Sequence, residues 1–171
     1  MPRLWRFSEL IDTDVLAPGF YMKSPLPELA THCLEAIRPD FASTAGQGDI
    51  ILSGPNMGVG SSREQAAEVL KFLGVEAIIA PSFAGIFYRN AINLGLPAFT
   101  IPEDSLEKPE LEDGAEVSFD LDAAELTLVE HDLTITLEPL PVFLKEMVLD
   151  GGLVPHLEKR FANAAADKDI I

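Results

Sequence analysis

Two adjacent serines and an arginine, Ser61, Ser62 and Arg63, stand at the end of a glycine-bearing loop. The hydrophobic run at residues 49–53 predicts a strand before this loop, and residues 62–73 predict a helix after it. The N-terminus of such a helix presents free backbone N–H groups and partial positive charge, which together stabilise a bound anion. The planar guanidinium of Arg63 adds a cation that matches a carboxylate or a phosphate. The loop is therefore predicted to bind an anion.

The two serines have alternative assignments at the start of the helix. Ser61 with Glu64 matches a capping box, and Ser62 with Gln65 matches one equally well. If Ser62 caps the helix, the hydroxyl of Ser61 faces the ligand. We favour this assignment because it places a spare oxygen beside the positive end of the helix. In the alternative assignment both serines only cap the helix, and the neighbouring glycines only form a turn.

The glycine spacing separates this loop from the common phosphate-binding loops. Gly58 and Gly60 can adopt positive φ and allow a ligand to approach the backbone, so Gly60 is included in the predicted site. A dinucleotide-binding fingerprint requires a third glycine at the position of Arg63. The Gly-Lys-Ser/Thr of a P-loop and the Gly-x-Ser-x-Gly of a nucleophile elbow are also absent from the sequence. The anion site is therefore of another kind.

Strand and helix patterns alternate through residues 48–101 and position this loop. Strands are predicted at residues 49–53, 75–80 and 96–101, and helices at residues 62–73 and 83–94. Ser82 is the predicted N-cap of the second helix. Units of this kind give parallel strands with right-handed crossovers. Ligands of parallel sheets bind beyond the carboxyl ends of the strands, where the loop that carries Ser61 is expected.

The segment before the loop is less regular. The Asp-Thr-Asp sequence at residues 12–14 predicts a turn with self-capping side chains. Prolines interrupt residues 17–47, in which one short helix is predicted at residues 27–37. A long irregular segment beside a binding loop is typical of a lid, so residues 19–47 are predicted to form a mobile loop.

The remaining segments complete a single domain over residues 1–157. Residues 3–7 alternate in hydropathy and predict a first strand, and residues 142–149 predict a short helix. Antiparallel strands are predicted at residues 115–119, 126–129 and 133–137. Residues 158–171 are polar, alanine-rich and charged, and they predict a frayed C-terminal tail.

Composition excludes several classes of function. A net charge of −16 disfavours nucleic-acid binding, because no basic stripe is present to neutralise phosphates. The single cysteine, Cys33, cannot form an internal disulfide and is expected to be a small core residue in a reducing compartment. The three histidines lack the spacing of a metal site. No apolar stretch reaches the roughly 18 residues of a membrane span and no signal-peptide pattern is present, so we expect a cytoplasmic protein.

Three ordered motifs give the sequence a family resemblance. Residues 58–64, GVGSSRE, resemble the Gly-x-Gly-Ser-Ser-Arg-Glu signature of the aconitase superfamily swivelling domain. Residues 82–97, SFAGIFYRNAINLGLP, resemble its second signature, and residues 11–15 with Pro18 resemble its Asp-Thr-Asp segment. Within that superfamily the sequence is most similar to the small subunits of 3-isopropylmalate dehydratase and their relatives. The resemblance implies an α/β swivelling β/β/α domain, with a parallel β-α-β-α-β core and additional antiparallel strands closing a barrel-like sheet.

The resemblance also implies an activity, the reversible dehydration and rehydration of a 2-hydroxy acid. In the family a serine of the swivelling domain removes the carbon-bound proton, and this serine corresponds to Ser61. Arg63 corresponds to an arginine that binds a substrate carboxylate, with Ser62 and Gly60 beside it. Lys23 falls on the loop that discriminates substrates in the family and adds a cation there, unless it is a solvated surface lysine.

Cysteine content places the family's iron–sulfur cluster on another chain. Such a cluster needs about three or four cysteine ligands, whereas this sequence contains Cys33 alone. The resemblance therefore implies that this chain binds no cofactor or metal itself. A separate cluster-bearing large subunit would carry the [4Fe-4S] cluster in a heterodimer or heterotetramer, with the active site where the two subunits meet.

Three departures from the family pattern bear on the substrate. Gly85 stands where the family usually has arginine, Gln65 replaces a frequent histidine, and Lys23 with Ser24 differs from many relatives. The first two leave the proposed base in place, whereas Lys23 favours a substrate with a distal carboxylate. We expect isopropylmalate and a role in leucine biosynthesis, with homoaconitate and 2,3-dimethylmalate as alternatives. A non-catalytic carboxylate-binding module is the alternative of another class, and the intact Ser61 beside Arg63 argues against it.

Overall fold

A four-stranded parallel sheet lies at the centre of the computed structural model, which describes residues 1–166. Its strands are β1 (Leu4–Arg6), β2 (Ile50–Leu52), β3 (Ala77–Ala80) and β4 (Ala98–Thr100), which pair in sequence order. Every residue of β2 and β3 is buried. This explains why these strands are continuous hydrophobic runs in the sequence, as is usual when both faces of a parallel sheet are covered.

Helices cover one face of this sheet. The helices α4 (Gln65–Phe72) and α5 (Gly85–Asn93) form the crossovers between the parallel strands, as the sequence predicts. Successive strand residues point to opposite faces. On this face Trp5, Ile51 and Ile78 share one core cluster with the buried residues of α4. The loop between β2 and α4 therefore begins and ends on firmly packed elements.

An antiparallel sheet covers the other face. Its strands are β5 (Val117–Asp120), β6 (Glu125–Leu128) and β7 (Leu133–Thr136). The predicted antiparallel strands are thus confirmed, but they form a sheet of their own. Leu4 N–H donates to Ala115 O at one edge of the parallel sheet, and Glu138 N–H donates to Thr100 O at the other. These isolated backbone hydrogen bonds, rather than full strand ladders, give the barrel-like closure.

Residues 13–44 contain three short helices, α1 (Thr13–Leu16), α2 (Leu26–Thr31) and α3 (Phe41–Thr44), and a 3₁₀ turn at Gly19–Tyr21. The predicted helix over residues 27–37 ends at Thr31. Leu34 adopts a φ of +61° and donates its N–H to Val15 O, so the chain cannot continue as a helix. The segment was expected to be a mobile loop over residues 19–47, but much of it contributes to the core. Its buried side chains are Leu29, Ala30, Cys33, Leu34 and Phe41.

Cys33 is fully buried within this segment. Burial raises the pKa of the thiol, so Cys33 remains protonated at physiological pH. A buried neutral thiol packs as a small apolar side chain and is a poor nucleophile. The structure confirms the predicted core role of Cys33.

Two helices end the described chain, α6 (Val142–Leu149) and α7 (Leu153–Ala166). The frayed tail predicted from residue 158 is wrong up to residue 166, because these residues continue α7. Asp150, which precedes α7, contacts two side chains of that helix. Its Oδ2 lies 2.7 Å from His156 Nδ1, and its Oδ1 lies 2.6 Å from Lys159 Nζ. The predicted tail residues 167–171 lie outside the described part of the chain. Within residues 1–166, no helix is long and apolar enough to cross a membrane.

Candidate active site

Three segments that are distant in the sequence meet beyond the carboxyl ends of β1, β2 and β3. The glycine loop after β2 lies between the other two segments. On one side Thr13 N–H donates to Val59 O at 2.9 Å. On the other side Met57 N–H donates to Ser82 O at 3.0 Å. The three predicted motifs therefore form one surface, at the edge of the sheet where the sequence places the site.

Ser82 fixes the glycine loop and does not cap a helix. Its Oγ accepts a hydrogen bond from Asn56 N–H at 2.9 Å, and Asn56 adopts a φ of +59°. The N-cap residue of α5 is Ala84, which makes no side-chain capping bond. The predicted N-cap role of Ser82 is therefore wrong, because its hydroxyl is used across the site.

The two glycines of the loop have different structural roles. Gly58 has a φ of +77°, and a Cβ atom built on it would lie 2.0 Å from Cγ of Phe87. Gly58 is thus needed for packing against α5 and offers no open approach to a ligand. Gly60 has a φ of +126°, and its Cβ would lie 2.7 Å from Thr13 Oγ1. Gly60 is exposed, and its missing side chain makes room for the threonine hydroxyl.

Neither serine caps α4, so both predicted capping boxes are wrong. The helix begins at Gln65, and its N-cap residue Glu64 makes no side-chain capping bond. The first backbone hydrogen bond of this turn is donated by Ala66 N–H to Arg63 O, at 3.2 Å. The N–H groups that precede it lie outside the helical hydrogen-bond pattern, which leaves partial positive charge at this end. Ser61 and Ser62 are both exposed just before it.

Thr13 holds Ser61 in place. The side chain of Thr13 is buried, with 2% of the residue exposed. Its Oγ1 accepts a hydrogen bond from Ser61 N–H at 3.0 Å, and it lies 3.3 Å from Ser61 Oγ. Sequence reasoning assigned Thr13 only to a turn and did not include it in the site. Its position next to two aspartates in a family motif was the available signal.

Arg63 is oriented by the segment that follows Thr13. Its Nη1 donates to Asp14 Oδ1 at 2.5 Å and to Ala17 O at 3.0 Å. Gly19 N–H also donates to Asp14 Oδ1, at 3.0 Å. Both hydrogen bonds of Arg63 use Nη1. The other two guanidinium nitrogens, Nε and Nη2, make no hydrogen bond with residues 1–166. The guanidinium is therefore fixed and still able to bind a carboxylate.

Replacing Asp14 by asparagine tests this ion pair. The hydrogen bond from Arg63, followed by that from Gly19 N–H, lowers the pKa of Asp14. Because the pKa is lower in the folded state, the ionised carboxylate stabilises the fold at every pH above its ordinary pKa of about 3.9. This contribution is lost as the pH falls through the lowered pKa. Because Asp14 is largely exposed, we expect Asp14→Asn to cost less than about 1 kcal/mol at pH 7.

The stability difference between wild type and Asp14→Asn, measured by urea unfolding at several pH values, should vanish in acid. A difference that does not shrink as the pH falls below the ordinary carboxyl pKa of about 3.9 would mean that the ion pair is not its source. Asp12→Asn is a matched control, because its Oδ1 accepts the capping bond from Val15 N–H at 2.8 Å and makes no recorded ion pair among the described residues.

The chain is similar in sequence to the small subunits of two enzymes. It is 46% identical to the methanogen homoaconitase small subunit of Methanothermobacter thermautotrophicus, over 92% of this chain and 89% of that protein. It is 40% identical to the 3-isopropylmalate dehydratase small subunit of Syntrophus aciditrophicus, over 92% of this chain and 95% of that protein. The family described as the aconitase C-terminal domain matches residues 36–104. The chain belongs to this family of small subunits.

A solved structure supports the same assignment. The crystal structure of 3-isopropylmalate dehydratase from Methanocaldococcus jannaschii matches with a TM-score of 0.88 and 39% sequence identity, covering 97% of each chain. The predicted family and the predicted α/β swivelling fold are therefore confirmed. Both leading substrate classes inferred from the sequence, isopropylmalate and homoaconitate, are represented by name among the relatives.

Lys23, which the family resemblance places on a substrate-discriminating loop, is exposed in the structure. It follows the 3₁₀ turn Gly19–Tyr21, whose first residue contacts Asp14. Within residues 1–166 Lys23 has no recorded hydrogen bond or ion pair. The structure therefore does not join Lys23 to Ser61 or Arg63, and its role in substrate binding stays a prediction.

Gly85 borders a cavity of about 480 Å³ whose lining is apolar and acidic. An added Cβ at Gly85 would meet nothing within 4 Å. Glu138 lies in this cavity and accepts a hydrogen bond from Thr100 Oγ1 at 2.5 Å. Burial, and secondarily Glu138, raise the pKa of Tyr88 on the same wall. With no arginine at position 85 this cavity does not favour a carboxylate, so Arg63 is the better candidate for binding one.

The site contains hydroxyl groups, backbone N–H groups and a guanidinium. Over residues 1–166, no group of three or more histidine, cysteine, aspartate or glutamate side chains is arranged to hold a metal ion. Cys33 is the single cysteine of the sequence, whereas an iron–sulfur cluster needs about three or four cysteine ligands. The hydroxyl groups, backbone N–H groups and guanidinium of this surface are of the types that take part in proton transfer and carboxylate binding.

Proposed function

We propose that this chain is the small subunit of a heteromeric hydro-lyase that interconverts 2-isopropylmalate and 3-isopropylmalate through isopropylmaleate, in leucine biosynthesis. The observation that carries the proposal is the position of Ser61 between buried Thr13 and the N-terminus of α4, with Arg63 two residues on. A hydroxyl, a positive helix end and an oriented guanidinium are the groups that a proton abstraction beside a carboxylate requires.

Ser61 is the general base in this proposal. Its Oγ removes the proton from the substrate carbon, the electron pair of that C–H bond forms the double bond, and hydroxide leaves from the adjacent carbon. A serine hydroxyl is a weak acid, so its deprotonated form needs nearby positive charge. The N-terminus of α4 and the guanidinium of Arg63 provide that charge. Arg63, Ser62 and the backbone at Gly60 orient the substrate carboxylate.

A cluster-bearing large subunit completes the proposed enzyme. A [4Fe-4S] cluster held by that partner would supply Lewis-acid chemistry at the substrate hydroxyl group. The proposal rests on the cysteine content of this chain, since Cys33 alone cannot supply the about three or four thiolates of such a cluster. We place the complex, a heterodimer or heterotetramer, in the cytoplasm.

Homoaconitate is the second candidate substrate. Two observations favour it, the 46% identity to a homoaconitase small subunit and the exposed cation of Lys23. A distal carboxylate would be neutralised by Lys23, whereas an isopropyl group would gain nothing from that charge. Replacement of Lys23 by methionine would therefore raise KM for homoaconitate and leave KM for isopropylmalate nearly unchanged.

The test is reconstitution with a large subunit. The two chains are co-expressed, the cluster is rebuilt under anaerobic conditions, and formation of the unsaturated acid is followed by its absorbance. Isopropylmalate, homocitrate, dimethylmalate and citramalate are offered separately. Turnover of isopropylmalate supports the proposal, and preferred turnover of homocitrate replaces it with the second candidate. Failure to form any complex with the large subunit would favour a carboxylate-binding module instead.

A further inference from the structure

Thr13 is a buried polar side chain to which the proposed function assigns no chemical role. It is one of three buried polar or charged residues in the described chain, with 2% of its surface exposed. The hydroxyl lies against Ser61, with Oγ1 3.0 Å from the backbone nitrogen and 3.3 Å from Oγ. Residues 13 and 61 are 48 positions apart in the sequence, so a tertiary contact creates this pair.

The hydrogen bonds around Thr13 leave its hydroxyl hydrogen available to Ser61 Oγ. Oγ1 accepts from Ser61 N–H with one lone pair, and with neutral Ser61 either hydroxyl of the pair can be the donor. A helical threonine usually donates to the carbonyl four residues before it. Thr13 is the first residue of α1, so its helix has no such carbonyl. Ser61 Oγ is its recorded side-chain partner among residues 1–166.

We propose that Thr13 is a positioning residue that donates a hydrogen bond to Ser61 Oγ and stabilises its deprotonated form. The inference rests on the proposed role of Ser61 as the base. Thr13 keeps its proton throughout, while Ser61 Oγ gains the proton taken from the substrate carbon. A neutral Ser61 hydroxyl can donate or accept, whereas the deprotonated oxygen can only accept. The interaction therefore strengthens when Ser61 loses its proton, since charge-assisted hydrogen bonds are shorter and stronger.

The surrounding structure holds the threonine ready for this role. Its β-branched side chain has few rotamers, and burial limits them further. Asp12 caps α1 by accepting from Val15 N–H at 2.8 Å, which fixes the backbone at Thr13. Gly60 adds the space that the hydroxyl needs. A donor fixed before the reaction stabilises developing negative charge without reorganisation.

Two substitutions separate hydrogen bonding from packing. Thr13→Val keeps the shape of the side chain and removes the hydroxyl, whereas Thr13→Ser keeps the hydroxyl and removes a methyl group. Both are measured in the complex reconstituted with the large subunit. We expect Thr13→Val to lower kcat by at least about 10-fold, because the deprotonated oxygen of Ser61 loses a fixed hydrogen-bond donor. KM should stay within about twofold, and Thr13→Ser should retain most of the wild-type kcat.

The outcomes distinguish this inference from the proposed function. If Thr13→Ser loses as much kcat as Thr13→Val, or if Thr13→Val turns over normally while Ser61→Ala is inactive, the inference is wrong. If Ser61→Ala is itself active, the proposed base is wrong. Unfolding curves of each variant check the fold. Should Thr13→Val fail to fold, Thr13→Ala and Thr13→Ser give the same comparison, because they differ by the hydroxyl alone.

Discussion

Replacement of Ser61 by alanine should lower kcat of the reconstituted enzyme by at least about 100-fold, the usual contribution of a general base. Alanine removes only the hydroxyl, and the Ser61 N–H that donates to Thr13 Oγ1 remains. Ser61 is exposed and caps no helix, so the substitution should leave the fold and the complex unchanged. The loss should therefore appear in kcat, measured by formation of the unsaturated acid at saturating substrate.

Ser62→Ala is the matched comparison for this prediction. Ser62 is also exposed, precedes the same helix and makes no capping bond. Since Ser62 is proposed to orient substrate and not to accept the proton, its replacement should raise KM by a few fold and change kcat little. Near-normal turnover by Ser61→Ala, or equal losses in the two variants, would exclude Ser61 as the specific base.

The parallel core could be predicted from the sequence because its signals are local. The buried strands β2 and β3 are continuous hydrophobic runs, and the predicted ranges contain the observed ones. Gly74 and Gly95 follow α4 and α5 with φ of +93° and +74°, the conformation that makes glycine common after a helix. The position of the loop beyond the strand ends then followed from the general geometry of parallel sheets.

The N-terminal segment could not be predicted in the same way, because tertiary contacts determine it. Leu34 leaves the helical conformation where its N–H bonds to Val15 O, and nothing near Leu34 in the sequence indicates that partner. The predicted helix caps are wrong for a similar reason. Ser82 resembles an N-cap residue, but its hydroxyl binds Asn56 N–H in another segment. In the folded chain, tertiary hydrogen bonds of this kind override the local preference of serine for an N-cap position.

Part of the candidate site could be proposed from the sequence. Ser61 and Arg63 were selected by residue type and by their place before a helix, and their roles stay predictions. Thr13 and Asp14 were assigned only to a turn, although the structure makes them the partners of Ser61 and Arg63. Self-capping by the first aspartate of that turn is confirmed, since Asp12 caps α1. The sequence indicates the turn, but the contacts of Thr13 with Ser61 and of Asp14 with Arg63 become visible only in the folded structure.

Replacement of Gly58 by alanine should destabilise the protein by about 2–4 kcal/mol, through overpacking and a strained backbone. A Cβ at this position would lie 2.0 Å from Cγ and 2.4 Å from Cδ1 of Phe87, which is nearly fully buried. The φ of +77° adds strain for any residue with a side chain. Either the ring or the loop must move, and urea unfolding measures the cost.

Gly85→Ala is the control, because the same change is made where nothing lies within 4 Å of the new Cβ. Gly85 is the exposed first residue of α5, so alanine there should leave stability within about 1 kcal/mol of wild type, on the stabilising side. Equal stability of the two variants would show that Phe87 does not pack over Gly58. A large loss in Gly58→Ala alone would mean that this glycine serves packing against Phe87, which leaves the exposed part of the loop after it, with Gly60 and Ser61, as the candidate for ligand binding.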